Sequence, residues 1–282
     1  MPIAYPEVLS LKQEGQRYAW TDRETMLYAL GVGMGADPMD ENELPFVYER
    51  NLKAMPTLAS VVAWGAGPGM MNINFLMVVD GERRITFHKP MPAGANIIAD
   101  SRVLGAYDKG KDKGAVIINE TVLKDAATGE PIATLESSIF ARGDGGFGGP
   151  SEGQPEPHAV PTRAPDMSVD IPTRPDQALL YRLSGDRNPL HSDPEFAKRA
   201  GFPRPILHGM CTYGISCRAV LQTYAEYDPT RFKYHAARFS SPVFPGETVT
   251  VDLWKDGQVI SFEARIKARG VTVIKNGKTI LS

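Results

Sequence analysis

Apolar and polar positions alternate with a period of two in six separate stretches: IIADSRV, AVIINETVL and TLESSIFA in the first half of the chain, and TVTVDLW, ISFEARIKA and VTVIKNG in the second. Strict alternation marks strands with one face buried and one face wet. The segments YDKGKDKG, KDAATGE, WKDGQ and KNGK carry the Gly, Asn and Asp that tight connections need, so they are predicted to be the turns between strands. Two longer apolar segments, MPTLASVVAWG and HGMCTYGISCRAVLQTYA, have helical character and are predicted to be one central helix in each half.

The two halves resemble each other. In RITFHKPMPAGANI, Phe87 is followed by Pro90 and Gly94; in AARFSSPVFPGETV, Phe239 is followed at the same spacing by Pro242 and Gly246. Upstream, DRETMLYALGVGMG aligns with DQALLYRLSGDRN, pairing Tyr28 with Tyr181 and Leu30 with Leu183. Between the halves, GDGGFGG is followed by seven prolines from Pro150 to Pro175. Proline supplies no donor and favours extended backbone, so this stretch is predicted to link two repeats. The expected organisation is a first repeat over 1–145, a linker over 146–175 and a second repeat over 176–282.

The copies differ where chemistry is possible. The second contains YRLSGDRNPLH, which sets Asp186, Asn188 and His191 on a turn broken by Gly185 and Pro189; the first has Val32-Gly33-Met34-Gly35 there. Turn chemistry alone accounts for much of this, and Ser192 or Asp193, Pro194 and Gly201 read as the cap, first turn and stop of a short helix. It does not account for a histidine five residues from an acid on the turn itself. Downstream, His208-Gly209 opens the second central helix, where free N–H groups favour a developing negative charge. His208 itself reads as a structural residue.

Composition excludes several classes. The formal net charge of −2 offers no basic face for nucleic acid, and no apolar run is long enough for a membrane helix. Two cysteines, Cys211 and Cys217, fit neither a disulfide framework nor a zinc pattern, and MPIAYPEVLS does not read as a secretory leader, so a cytoplasmic protein is expected. GVGMGAD and GDGGFGG lack the features of phosphate loops. No metal is expected of Asp186, His191 and His208, whose spacing fits no common site.

YRLSGDRNPLH with HSDPEFAKRAGFPRPILHGMCTYG resembles the signature of the hydratase 2, or MaoC-like, family; LPFVYERNLKAMPT, FHKPMPAG, AYDKGKDKG and ARGDGGFGG extend the resemblance to its two-repeat form. The resemblance implies an α+β double hot-dog fold, each repeat a curved antiparallel sheet around a long helix. It also implies an (R)-specific enoyl-CoA hydratase without a cofactor, the CoA being part of the substrate. Asp186 and His191 are then the acid–base pair, Asn188 positions water or thioester, and the Gly209 N–H steadies the thioester oxygen. Lys109, Phe239 and Gly81 are expected to contact the acyl-CoA. Asp80 stands where the family commonly has His before that glycine, and Trp64, Met70 and Met71 are expected near the acyl tunnel. The reading leaves open a dehydratase acting on acyl-carrier-protein substrates, a thioesterase, an acyl-CoA sensor, and pairing of two chains into a homodimer. Family resemblance also allows a peroxisomal location, although the chain ends Ile280-Leu281-Ser282 and not in the S-K-L address.

Overall fold

A computed structural model describes residues 3–69, 71–74 and 77–282; Met70 lies outside the described residues. Ten strands form one antiparallel sheet: β1 (Lys12–Trp20), β2 (Val78–Phe87), β3 (Ala95–Asp108), β4 (Ala115–Asp125), β5 (Pro131–Ala141), β6 (Met167–Pro172), β7 (Phe232–Phe239), β8 (Thr248–Asp256), β9 (Val259–Ile266) and β10 (Val271–Leu281). Their spatial order is β1-β3-β4-β5-β2-β7-β10-β9-β8-β6. Reflected about the centre, β1 matches β6, β3 matches β8, β4 matches β9, β5 matches β10 and β2 matches β7. The duplication visible in the sequence is therefore a duplication of topology, and the whole is a double hot-dog fold.

The halves join where β2 pairs with β7, from Glu82↔Arg238 to Thr86↔Tyr234. This pairing removes the edge each half would otherwise expose, which a lone hot-dog sheet must cover by other means. Phe87 and Phe239, the first members of the repeated Phe-Pro-Gly spacing, end β2 and β7, so the repeated spacing marks equivalent corners.

Among the described residues, five α-helices accompany the sheet: α1 (Asp22–Gly31), α2 (Leu44–Val47), α3 (Gln177–Tyr181), α4 (Pro194–Arg199) and α5 (Gly209–Thr223). Of the 15 residues in α5, 11 are buried, as expected of a helix apolar on all sides, and it packs against β6 to β10. Thr21 and Glu24 form a reciprocal capping box at the start of α1. Asp193 caps α4 by accepting from the Glu195 and Phe196 N–H groups, with Pro194 at the first helical position. The aligned tyrosines meet between the repeats, with the Tyr28 and Tyr181 rings 6.0 Å apart.

Three expectations are corrected. The long central helix exists only in the second repeat. Its counterpart in the first is a 3-10 turn, Pro56–Ser60, continued by turns to Gly65. The β-branched Thr57, Val61 and Val62 lower the helix propensity there, whereas Pro56, at the first position of the turn, is compatible with a helix start. KNGK is not a turn: Asn276 (φ 55°) and Gly277 form a bulge inside β10, where the register shifts between Lys275 and Lys278. Asn-Gly accepts the left-handed conformation in either setting, so the dipeptide alone does not tell them apart. Finally, the stretch read as linker ends in β6, an edge strand, whose Pro172 sits at the strand terminus where no ladder donor is missed.

The preceding extended stretch is fastened along the outside of the sheet. The Lys109 ammonium donates to Ser151 O (2.6 Å) and Gln154 Oε1 (3.0 Å), His158 Nε2 bonds Ser261 Oγ (2.8 Å), and the Trp254 indole donates to Arg163 O (2.8 Å).

Candidate active site

The turn after α3 is shaped by its own polar residues. Gly185 has φ 141°, and the Trp64 ring occupies the space a side chain would need, 2.6 Å from the position of a Cβ. Asp186 Oδ1 then accepts the Asn188 N–H (3.0 Å), and Asn188 Oδ1 accepts the Leu190 N–H (3.0 Å), capping the 3-10 turn Pro189–His191. These bonds fold the segment so that the second Asp186 oxygen faces the His191 ring. Asn188 is exposed and its side-chain oxygen holds this turn.

His191 is buried. Its Nδ1 lies 2.9 Å from Ile206 O, a carbonyl that can only accept, so Nδ1 carries the proton and Nε2 presents a lone pair. Nε2 is 3.8 Å from Asp186 Oδ2. That is too long for a direct hydrogen bond and a span that one water bridges by donating to both atoms. Burial lowers the His191 pKa, opposed by the Ile206 carbonyl and the charges of Asp186 and Asp80. The shift favours the neutral ring, whose Nε2 lone pair is turned toward Asp186.

His208 completes the cluster. Its ring stacks on His191 at 3.7 Å between centroids and 26° between planes, and its Nε2 donates to Asp186 O (3.2 Å). Burial, followed by the neighbouring His191, pushes its pKa down to about 3. It is a neutral plate that fixes His191 from behind and ties the turn to the start of α5. Asp186, His191 and His208 each offer a ligand atom within 4.8 Å of one another. The stacked rings, however, place their in-plane lone pairs side by side, and one nitrogen of each faces a carbonyl. Acid–base work fits this geometry better than a shared tetrahedral ion.

Gly209 is the first residue of α5, and its N–H has no acceptor among the described residues. The Phe239 ring lies 3.4 Å from where its Cβ would be. Beside them opens a cavity of about 320 Å³, lined by Ala59, Ser60, Trp64, Arg83, Leu135 and Met210 among others. Trp64 touches both the Gly185 turn, next to Asp186, and the cavity, and Met210, next to Gly209, is another of its walls.

Lys109 and Gly81 stand apart from this cluster. They line a second cleft of about 390 Å³ with Arg84, Ser138 and Phe140. On β2 and β5 most of these positions alternate with Arg83, Leu135 and Ser137 of the first cavity, while Arg84 and Glu136 border both hollows. His208 carries only a structural signal in the sequence, and nothing in the one-dimensional pattern signals its stack on His191. Arg83 carries no signal of its own; the unusual Asp80 nearby is the available clue.

A MaoC-like domain matches residues 157–277, and the N-terminal domain of the MFE-2 hydratase 2 matches residues 18–143. The chain is 40% identical to an enoyl-CoA hydratase of Mycobacterium tuberculosis, covering 98% of both, and 38% identical to a peroxisomal enoyl-CoA hydratase 2 of Arabidopsis thaliana, covering 95% of this chain and 92% of the other. Among solved structures, a MaoC-like dehydratase from Phytophthora capsici superposes with a TM-score of 0.88 at 32% identity, covering 98% of this chain and 97% of that one. Topology in two mirrored repeats, the Asp/His turn beside a helix start, and these likenesses over nearly the full length agree: the chain belongs to the MaoC-like, hydratase 2 family.

Proposed function

We propose that the protein is an (R)-specific 2-enoyl-CoA hydratase, adding water reversibly across a trans-2-enoyl thioester to give the (3R)-3-hydroxyacyl thioester. The observation that carries this is the 3.8 Å gap between His191 Nε2 and Asp186 Oδ2, with His191 stacked on His208, the residue before the Gly209 N–H. Water is a weak nucleophile, and the alkene is electrophilic only through conjugation with the thioester carbonyl. A water held by both acceptors attacks C3 while one of its protons passes to the pair. The π electrons move onto the thioester oxygen, which the Gly209 N–H receives. The pair then returns the proton to C2 on the same face, and the enolate collapses to the saturated thioester. Acid–base assistance of this kind supplies about 10²–10⁴-fold, and one oxyanion donor about 2.7–4 kcal/mol. Every group in this sequence belongs to the chain or the substrate, so no cofactor is required.

The test is to follow loss of the conjugated enoyl-thioester absorbance over a range of acyl lengths, with free thiol and product configuration measured in parallel. Hydration to the (3R) product without thiol release supports the reading. Release of free CoA would make the protein a thioesterase, and saturable binding without turnover would make it a sensor.

A further inference from the structure

The concave face of the first repeat carries polar residues that the hydration chemistry does not use. Across β2, β5 and β4, Arg83 pairs with Ser137, and Ser137 with Asn119, giving a polar row on one face of the sheet. Arg83 and Ser137 both line the 320 Å³ cavity, whose other walls include Ile85, Leu123, Leu135 and Met210.

The bulge at Gly81 sets this row up. In a regular strand, residues three apart point to opposite faces. The register of β2 against β5 slips between Asp80 and Glu82, adding one residue and turning Asp80 to the side of Arg83. Arg83 Nη2 then meets Asp80 Oδ1 at 2.7 Å. A guanidinium has five N–H donors, and this bond occupies one of them. Its Nε is buried without a partner, as is Asn119 Oδ1. Neither Arg83 Nη1 nor the Ser137 hydroxyl has a partner among the described residues. Asp80 supplies the counter-charge, so the row has unused hydrogen-bonding capacity without a strong net charge. Arg83 lines the cavity together with Trp64, whose ring packs on Gly185 next to Asp186, which places the pair toward the reacting end.

A plain hydrocarbon tail entering the cavity displaces water from Arg83 and Ser137 and gives nothing back, and burying such groups unpaired is costly. A tail carrying an oxygen restores the lost bonds. Sites built to hydrogen-bond a substituent discriminate strongly against the analogue that lacks it. Resting on the acyl-thioester reading above, we propose that the Arg83–Ser137–Asn119 row is a specificity subsite for an oxygenated acyl group, one bearing a keto or hydroxyl oxygen beyond the reacting double bond.

The test separates binding from turnover. Saturated acyl-CoA analogues with and without a keto or hydroxyl oxygen, moved along successive carbons, are titrated by calorimetry. The matching enoyl-CoA pairs are assayed for hydration. Wild-type protein is expected to bind one oxygenated analogue about tenfold or more tighter than the plain chain. Ser137→Ala and the paired change Asp80→Asn/Arg83→Gln, which removes both charges together, should each reduce that ratio more than they change binding of the plain chain. The proposal is overturned if no oxygen position binds better than the plain chain, or if the variants weaken both ligands equally. Failure to hydrate any enoyl-CoA while the binding ratio survives would sink the hydratase reading and leave the subsite standing.

Discussion

Asp186→Asn isolates the chemistry of the pair from the architecture of its turn. Asp186 uses Oδ1 to accept the Asn188 N–H at 3.0 Å and offers Oδ2 to His191 Nε2 at 3.8 Å. An asparagine keeps the first contact, because its carbonyl oxygen accepts equally well, so the turn should hold and stability should fall by less than about 1 kcal/mol. What disappears is a negative oxygen beside an imidazole that becomes positive as it takes the water's proton. Unit charges 4 Å apart interact by about 4 kcal/mol at an effective dielectric constant of 20. The Asp186 side chain is 26% exposed, so partial screening brings the expected loss to roughly 2–4 kcal/mol, a ~30- to 10³-fold fall in kcat. The assay is enoyl-thioester absorbance for kcat and urea denaturation for stability. His191→Ala should be comparably damaging. Because the two residues hold one water, the double variant should be little worse than the poorer single one. A folded Asp186→Asn enzyme retaining more than a third of wild-type kcat would refute the reasoning. So would fully multiplicative losses in the double variant, which indicate independent roles.

The remaining expectations concern pH, packing and chain length. His208 and His235 are both held near pKa 3, chiefly by burial, against an ordinary value of 6.5. The unfolded chain therefore takes up protons first, so their contribution to stability is complete above about pH 6.5 and is lost as pH falls toward 3; urea midpoints at pH 7.5 and 5 should differ accordingly, and His235→Asn should flatten the slope. Gly214→Ala would put a Cβ 2.5 Å from Val32 Cγ1, where α5 crosses the chain just after α1, so a loss of about 1–3 kcal/mol is expected in chemical denaturation. An unchanged midpoint would show that the two segments can move apart freely. Trp64 walls both the 320 Å³ cavity and a neighbouring one of about 210 Å³, so Trp64→Ala should raise kcat/KM for long enoyl chains relative to short ones. An unaltered ratio would place the end of the acyl chain elsewhere.

The fold was legible in the sequence because it repeats. The Phe-Pro-Gly spacing and the aligned Tyr28 and Tyr181 encode local corners and contacts, which short-range pattern reports well. Asp186 and His191 were legible for the same reason, as their geometry is made by a seven-residue turn and its own side chains. Features that depend on pairing register were not. Asn276-Gly277 looks the same in a hairpin and in a bulge, and nothing in DGERR announces that Asp80 and Arg83 will share a face. The His208 stack on His191 likewise depends on where α5 begins relative to a turn 17 residues earlier. Lys109 shows the opposite failure: the residue was visible, but its partners at Ser151 and Gln154 come from a crossing segment whose path no local pattern reveals.

The shortened helix of the first repeat connects these observations. In the second repeat, α5 fills the hollow of its half-sheet with Tyr213, Ile215, Val220 and Leu221, all buried, and leaves little room beneath it. The equivalent place in the first repeat holds only the 3-10 turn Pro56–Ser60 and the turns leading to Trp64. Each half contributes five strands, those of the first being as long or longer, so the missing helical turns leave volume, and that volume is the cavity bounded by Ala59, Ser60, Trp64, Ile85, Leu123 and Leu135. Duplication thus supplied two equivalent hollows, of which one kept its helix and, at that helix's start, Gly209 and the His208 stack. The other, without such a helix, holds the cavity. Lengthening the first repeat's turn back into a full helix should therefore abolish acyl binding while leaving the Asp186–His191 geometry in place.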